Sequence, residues 1–203
     1  MLNIDAIART PVTREPFPFF MTKGALSPKD LHDIQGDFPP ITQPGIFPLP
    51  ELTYGPQFAR LIEGIRSREL ERTLEEKFGV ELADKPLMIT VRGFCQKKDG
   101  RIHTDSVDKI VTCLLYLNDN WSEDGGRLRL LRSGNDIEST ICEIPPDGGT
   151  FVAFKRTDNS WHGHHPFEGQ RRYVMFNWVR SEATLMKNNL RQTLFASLKR
   201  LNP

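Results

Sequence analysis

Residues 109–118 read KIVTCLLYLN, a run that is apolar at almost every position. Apolar residues on both faces are typical of a central strand in a sheet that is covered on both sides. Two hydroxyl groups interrupt the pattern, because Thr112 and Tyr116 share one face and must find hydrogen-bond partners in the interior. The run therefore predicts a central strand with polar groups on one of its two buried faces.

The β-rich character of this run extends from Pro86 to about residue 180. Short strand-like runs alternate with Asp-Gly, Gly-Gly and Pro-Pro-Asp-Gly-Gly turns, at the spacing of a sandwich or barrel. We predict strands at residues 87–96, 109–117, 127–132, 139–143, 150–154, 160–165 and 171–179. The predicted fold class is mainly β with flanking α, a double-stranded β-helix (a jelly roll, cupin-like) with helices packed outside.

Helical patterns flank the β-rich part on both sides. A helix is predicted from Ser27 to Phe38, because a Ser N-cap precedes a Pro at the first helical position. Apolar residues at helical spacing predict one bent or two short amphipathic helices from Pro56 to Phe78, and a polar-rich helix is expected from Ala183 to Leu201. No stretch of the sequence looks like a linker between domains, so we predict one domain, 1–203. It consists of an N-terminal segment that wraps around the core and supplies supporting helices (1–85), the jelly-roll core (86–180) and a C-terminal helix (181–203).

The near-zero net charge argues against partners that bind through a strong electrostatic field of one sign. The chain has 27 Lys and Arg against 26 Asp and Glu, so we expect neither nucleic acid nor membrane as a partner. The N-terminus carries Asp5 and Glu15 and no long apolar run, which predicts a cytoplasmic protein. Three cysteines without CxxC spacing predict reduced thiols instead of disulfides or a zinc ribbon.

Four of the five histidines lie in two short segments, RIHTDS and SWHGHHPF. In an extended strand His103 and Asp105 project to the same face. His162 follows 162 − 103 = 59 positions later and completes a 2-His-1-carboxylate triad, the ligand set of non-haem Fe(II) oxygenases. An HxD pattern alone also arises by chance, and a lone His in a strand is usually a satisfied structural residue, so the triad needs support from elsewhere.

That support comes from the last predicted strand, RRYVMFNWV (171–179). Its even positions, from Arg172 to Trp178, form the more apolar face, and its odd positions, from Arg171, form the more polar one. We expect the apolar face to point into the barrel, where a guanidinium needs an anion such as a carboxylate. The C5 carboxylate of 2-oxoglutarate meets that need for Arg172, and Arg171 is then expected to be a solvated surface charge.

Residues 88–179 resemble the catalytic core of the Fe(II)/2-oxoglutarate-dependent oxygenases, closest to the branch of the prolyl 4-hydroxylases and the hypoxia-sensing prolyl hydroxylases. The motifs that carry the resemblance follow in family order: HTDS, VTCLLYLNDNW, GGRLRLL, PPDGGTFVAF and WHGHHPFEGQRRYVMFNW. The family pattern places the distal ligand four residues before a proline, which selects His162. It places the cosubstrate arginine before an aromatic residue and six residues ahead of a tryptophan, which selects Arg172.

The resemblance implies an enzyme that uses Fe(II), 2-oxoglutarate and O2, with ascorbate supporting its activity, and that hydroxylates a C–H bond with release of succinate and CO2. Asp105 implies hydroxylation and not halogenation, because halogenating relatives leave that ligand position to chloride. Tyr116 is expected to join Arg172 at the cosubstrate carboxylate. For Thr112 a cosubstrate contact and a bond to backbone or buried water are both open.

Several alternatives remain open at the sequence level. The substrate is a peptidyl residue, with proline suggested by the branch, or a free amino acid or other small metabolite; a catalytically silent jelly-roll metal-binding protein is the alternative of another class. His164, on the same face as His162, is a further candidate ligand or a group behind the ligands. Basic residues could ring the mouth of the site and attract an acidic substrate, although such runs are usually solvated; they are Lys97, Lys98, Arg101, Arg127, Arg129 and Arg132.

Overall fold

The computed structural model describes residues 1–186 and has two antiparallel sheets at its centre. The strands are β1 (Phe19–Thr22), β2 (Phe47–Pro48), β3 (Leu87–Cys95), β4 (Lys109–Tyr116), β5 (Leu128–Leu131), β6 (Thr140–Ile144), β7 (Phe151–Lys155), β8 (His162–Gly163) and β9 (Gly169–Val179). One sheet has six strands in the order β1-β7-β4-β9-β3-β2, and the other has three in the order β6-β5-β8. The predicted architecture of two sheets with helices outside is confirmed.

The segment before residue 86 supplies two strands that the sequence analysis did not predict. β1 pairs with β7, with Phe19 opposite Phe154, and β2 pairs with β3, with Phe47 opposite Val91. Both are edge strands of the six-stranded sheet. They were missed because they contain only four and two residues and lie among prolines, which usually interrupt strands. The N-terminal wrap thus completes the sheet at both edges.

The helices are α1 (Ile4–Arg9), α2 (Pro28–Gly36), α3 (Pro56–Ile65) and α4 (Arg68–Phe78), with a short 3₁₀ turn at Leu49–Glu51. The helix predicted at Ser27 is confirmed, and the hydroxyl of Ser27 accepts from the Asp30 N–H at 3.1 Å. The long helical pattern is resolved as two helices, because Ser67 caps the start of α4 and accepts from the Leu70 N–H at 3.2 Å. Helix α1 was not predicted.

The six-stranded sheet is buried on both faces, as the run KIVTCLLYLN predicted. On one face the helices pack against alternate residues of β4 and β9, among them Leu115 and Phe176. On the other face Tyr116 and Tyr173 pack together with residues of the three-stranded sheet. The face of the sheet that packs against the helices needs apolar residues, because it is dry. The face between the two sheets can carry polar residues, provided that they find hydrogen-bond partners.

Two further features bear on the sequence predictions. Residues 182–186 are helical, and the remainder of the helix predicted from Ala183 to Leu201 lies outside the described residues. Within residues 1–186, no helix has the length and apolar character that a membrane crossing needs. The three cysteines are free thiols.

Candidate active site

The two histidines of the predicted triad face each other across a backbone bridge. The N–H of His103 donates to the carbonyl of His162, and the N–H of His162 donates to the carbonyl of His103, both at 3.0 Å. Their ring centroids lie 4.3 Å apart. His162 belongs to β8, which pairs with β5, so the three-stranded sheet holds the bridge in place. Residues far apart in the sequence thereby present their imidazoles side by side.

Both imidazoles have one nitrogen occupied by the backbone. Nδ1 of His103 lies 2.8 Å from the carbonyl oxygen of Arg101, and Nδ1 of His162 lies 3.0 Å from that of Ser160. A carbonyl only accepts, so each Nδ1 carries a proton, and Nε2 is the nitrogen of each ring that remains to bind a metal. This arrangement of a backbone acceptor behind an imidazole is the usual way of orienting a histidine ligand toward a metal. Burial lowers the pKa of His162 to about 4, which keeps its ring neutral at pH 7.

Asp105 completes the cluster. It is 7% exposed, and one potential ligand atom from each of His103, Asp105 and His162 lies within 4.8 Å of the others. Burial alone would raise the pKa of Asp105, but the ammonium group of Lys109 and the nearby His162 hold it below its usual range. The carboxylate is therefore ionised at neutral pH. Two imidazoles and one carboxylate are the donor set that suits Fe(II) with open coordination positions, so these residues fit the ion.

Both oxygens of Asp105 are held by neighbouring side chains. Nζ of Lys109 lies 2.6 Å from Oδ1, and the Thr112 hydroxyl donates to Oδ2 at 2.5 Å. The same hydroxyl lies 2.8 Å from the side-chain oxygen of Asn177, whose buried Nδ2 has no partner. One hydroxyl proton serves one acceptor, so the chemistry favours the opposite amide orientation, in which Nδ2 of Asn177 donates to Thr112 and Thr112 donates to Asp105. Neither sequence interpretation of Thr112 named this partner.

The side chains of His103, Asp105, Lys109, Thr112 and His162 line a cavity of about 310 Å³ between the two sheets. His164 lines it as well, and its ring packs against the backbone of Gly100, where any Cβ would collide with it. Gly100 also has φ +85°, a conformation that favours glycine. Burial, with Arg171 nearby, lowers the pKa of His164 to about 4. His164 is not in the cluster of potential ligand atoms that His103, Asp105 and His162 form, so the structure places it beside the site.

A buried guanidinium points into the cavity, and it belongs to Arg171. This residue is 3% exposed; its Nε donates to the carbonyl of Gly126 at 2.7 Å and its Nη2 to the hydroxyl oxygen of Tyr116 at 3.2 Å. Its Cζ lies 5.2 Å from the ring centroids of both Tyr116 and Tyr173. Among residues 1–186 it has no acidic partner within ion-pair distance. A buried cation without an acid is suited to bind an anionic ligand.

The predicted orientation of β9 is wrong. Arg172 does not line the cavity; its Cζ lies 5.1 Å from the ring centroid of Phe38, on the helix side of the sheet. Val174 and Phe176 share that side and pack against the helices. The prediction assumed that the more apolar face points into the barrel, but the helix-covered face is the drier of the two, and the cavity face carries the polar residues.

Three contributors to the site were missed in the sequence. Lys109 lies four residues after Asp105 but belongs to no recognised motif, and Asn177 reaches Thr112, which holds Asp105, only through the fold. Arg171 was available from the alternation of β9, since it shares its polar face with Tyr173 and Asn177. The polar face of β9 was recognised in the sequence, but it was predicted to face the solvent, whereas it faces the cavity. The structure does bring Tyr116 and Thr112 to the cavity side of β4, as their shared face predicted.

Comparison with known proteins gives a family for this site. The sequence model of the 2OG-Fe(II) oxygenase superfamily matches residues 93–180, which include all three potential ligands. No curated protein sequence matches the chain.

Solved structures share the fold at low identity. A prolyl-4-hydroxylase of Pseudomonas putida is 19% identical, with a TM-score of 0.56 over 87% of this chain and 97% of that one. The viral collagen prolyl hydroxylase of Paramecium bursaria Chlorella virus-1, solved with 2-oxoglutarate, is 15% identical, with a TM-score of 0.54 over 80% and 95%. HygX of Streptomyces hygroscopicus, solved with nickel and 2-oxoglutarate, is 14% identical, with a TM-score of 0.55 over 81% and 82%.

The double-sheet fold, the cluster of two histidines and one aspartate, and the match over residues 93–180 agree with one another. Residues 93–180 of this chain match the 2OG-Fe(II) oxygenase superfamily, and the chain has the fold of solved prolyl hydroxylases together with a potential metal site of two histidines and one aspartate.

Proposed function

We propose that this chain is an Fe(II)- and 2-oxoglutarate-dependent dioxygenase that hydroxylates a C–H bond of a peptidyl residue, with proline as the first residue to test. One observation carries the proposal: the cluster of His103, Asp105 and His162 lines the same cavity as the guanidinium of Arg171, which has no acidic partner among residues 1–186. A metal site alone would fit many proteins. A metal site with a buried cation that awaits an anion fits the binding of a dicarboxylate cosubstrate beside the metal.

Three side chains would hold the iron in this proposal. His103 and His162 offer Nε2, and Asp105 offers one carboxylate oxygen while Lys109 and Thr112 steady the group. When bound, Fe(II) with 2-oxoglutarate and O2 supplies the oxidising chemistry that couples decarboxylation to hydroxylation. The protein contributes the geometry of the ligands and the fixed charges around them.

Arg171 and Tyr116 would bind the far carboxylate of 2-oxoglutarate. Tyr116 is fully buried, and its oxygen accepts from Arg171, which leaves the hydroxyl proton without an acceptor in the described part of the chain. Burial raises the pKa of Tyr116 to about 12, so this proton is retained at neutral pH and is available for a carboxylate oxygen. The arginine assigned by the sequence, Arg172, is replaced in this role by Arg171.

Two observations favour a peptidyl substrate. Two of the structural neighbours are prolyl hydroxylases by name, and one of these is a collagen prolyl hydroxylase. A groove beside residues 97–102 also lies next to the cavity and shares Asp99, Gly100 and His164 with it, which offers room for chain on one side of a target residue. A free amino acid or other small metabolite remains the second candidate, because the cavity itself is of a size that a small molecule fills.

The test is a succinate-release assay with Fe(II), 2-oxoglutarate and ascorbate. Purified protein is offered proline-containing peptides, peptides without proline, and a pool of free amino acids and metabolites, and products are examined for the addition of one oxygen atom. The proposal expects hydroxylated peptide together with succinate. Oxygen addition confined to the small-molecule pool would favour the second candidate, and no succinate in any pool would contradict both.

A further inference from the structure

A groove lies at the protein surface beside the cavity that contains the metal cluster. Its volume is about 400 Å³, and its two walls are residues 97–102 and residues 164–166, with Ile137 at one end. It shares Asp99, Gly100 and His164 with the cavity. The carbonyl of Arg101, in the first wall, bonds to the imidazole of His103. A molecule lying in the groove is therefore within a few residues of the potential iron ligands.

The first wall of the groove is cationic. It contains Lys97, Lys98 and Arg101, and Asp99 is its one acidic residue. Asp99 turns away from these cations, because its carboxylate binds the guanidinium of Arg92 and accepts from the N–H of Gln96. Lys97 lies 3.8 Å from Glu168. Within residues 1–186, the side chains of Lys98 and Arg101 have no acidic partner in ion-pair distance.

The acids near the second wall are also engaged. Glu138 lies 2.9 Å from Nε2 of His165 and 2.8 Å from Nη1 of Arg129. Inside the cavity, Asp105 is paired with Lys109 and assigned to the iron, and Arg171 is assigned to the cosubstrate. Asp99, Glu138 and Glu168 thus each have a basic partner, whereas Lys98 and Arg101 remain as positive charges facing the groove. Such a surplus favours an anion from outside the protein.

We propose that the substrate is an acidic peptide, with an Asp or Glu a few positions from the target residue lying against Lys98 and Arg101. This inference deepens the proposed function and rests on it. An extended chain advances about 3.3 Å per residue, so a neighbouring acidic side chain can lie in the groove while the target side chain enters the cavity. Carboxylates, which guanidinium groups bind well, are the matching chemistry.

A peptide fits this arrangement better than other anions. A small dicarboxylate that fills the cavity would leave the groove and its cations without a function in binding. Nucleic acid is recognised through many phosphates on a broadly basic surface, whereas this chain has a formal net charge of +1.

The experiment uses three pools of fluorescently labelled peptides with the same central residues, flanked by Asp and Glu, by Ser and Gln, or by Lys. Binding to the metal- and 2-oxoglutarate-loaded protein is measured by fluorescence polarisation, and oxygen addition by mass spectrometry. The acidic pool should bind and react best. In the double variant Lys98→Glu with Arg101→Glu, its Kd and KM should rise by at least about tenfold, because reversed charges repel the flanking acid.

A matched double variant controls for net charge. Lys23→Glu with Arg72→Glu makes the same change at two exposed positions outside the cavity and the groove, and it should leave Kd within about twofold. Equal losses in both variants, a preference for the neutral or basic pool, or tighter binding of single-stranded oligonucleotides would overturn the inference. So would turnover of small dicarboxylates without turnover of any peptide. Absence of succinate in every assay would instead contradict the proposed function, while the polarisation data still decide the preference for acidic peptides.

Discussion

The two faces of β9 carry residues of opposite character, although both are buried. Toward the helices, Val174, Phe176 and Trp178 join a continuous apolar core. Toward the three-stranded sheet, Arg171 contributes a charge to the cavity and Asn177 forms a hydrogen bond with Thr112. Burial alone therefore does not identify the functional face of such a strand. A face that only packs can be wholly apolar, whereas a face that binds keeps polar groups whose partners are other residues or a ligand.

The largest effect should follow from a truncation on the packing face. Phe176→Ala removes a fully buried ring and should lower the free energy of unfolding by about 3 to 5 kcal/mol. Met175→Ala, next in the chain but beside the cavity and only half-buried, should cost about 1 to 2 kcal/mol. Urea unfolding followed by circular dichroism measures both. Equal losses would mean that the two faces do not differ in packing as described.

Loss of a ligand should be the largest effect on the binding face. Asp105→Ala or His103→Ala should weaken Fe(II) binding by at least about a hundredfold, because even residues behind a metal ligand change affinity by about 10- to 100-fold. His164→Ala is the control, since His164 lines the cavity outside the ligand cluster. Anaerobic titration with Fe(II) decides the matter. Tight binding in both ligand variants would refute the site.

The adjacent arginines test the orientation of β9 directly. Arg171→Ala should weaken 2-oxoglutarate binding by at least about tenfold, since truncating one partner of a buried charged pair costs about 2 to 5 kcal/mol and tenfold is about 1.4 kcal/mol. Arg172→Ala should change it little, because that side chain lies over Phe38. Binding is measured by anaerobic titration of the Fe(II)-loaded protein with 2-oxoglutarate. A larger loss for Arg172→Ala would restore the orientation predicted from the sequence.

A smaller change is expected from the hydroxyl that holds Asp105. Thr112→Val keeps the shape of the side chain but removes the hydrogen bond to Oδ2, and Fe(II) affinity should fall by about tenfold. Thr112→Ser keeps a hydroxyl and should recover most of that loss. Isothermal titration with Fe(II), with thermal unfolding as a check on folding, compares the two. If serine restores nothing, the hydroxyl does not orient the carboxylate.

The smallest effect concerns pH in the metal-free protein. Burial lowers the pKa of both His162 and His164 to about 4, from 6.5, so the unfolded chain takes up protons more readily than the folded one. The free energy of unfolding should therefore fall as the pH is lowered from about 6.5 to about 4, by up to about 1.4 kcal/mol per pH unit for each histidine. His164→Gln should reduce this slope, whereas Phe176→Ala should lower stability without changing it. Urea unfolding at several pH values measures the slope.

Much of the molecule was accessible from the sequence because its signals are local. Turn motifs located all seven strands of the β-rich part, and Ser27 marked the start of α2. The HxD pattern and the distal histidine selected His103, Asp105 and His162, which the fold brings together; their role as ligands stays a prediction.

The errors arose where the deciding partner is distant in the chain. The orientation of β9 depends on which of its faces the helices cover, and alternation alone does not specify that. Asn177 acquires its role only when β9 lies beside Thr112 of β4, 65 residues earlier in the chain. The edge strands β1 and β2 form because β7 and β3 offer backbone groups that would otherwise be unpaired. Their own short sequences therefore contain no pattern that predicts a strand.

The two edge strands limit the aggregation of the protein with other copies of itself. Uncovered, β7 would present the run Phe151–Lys155, most of it apolar, as an open edge, and such edges recruit strands from other chains into aggregates. β1 occupies that edge with only four residues, and at the opposite edge β2 ends in Pro48, which has no N–H to offer a further strand. The prolines of the N-terminal segment thus help to stop the sheet from growing, and they protect solubility while the catalytic groups lie elsewhere.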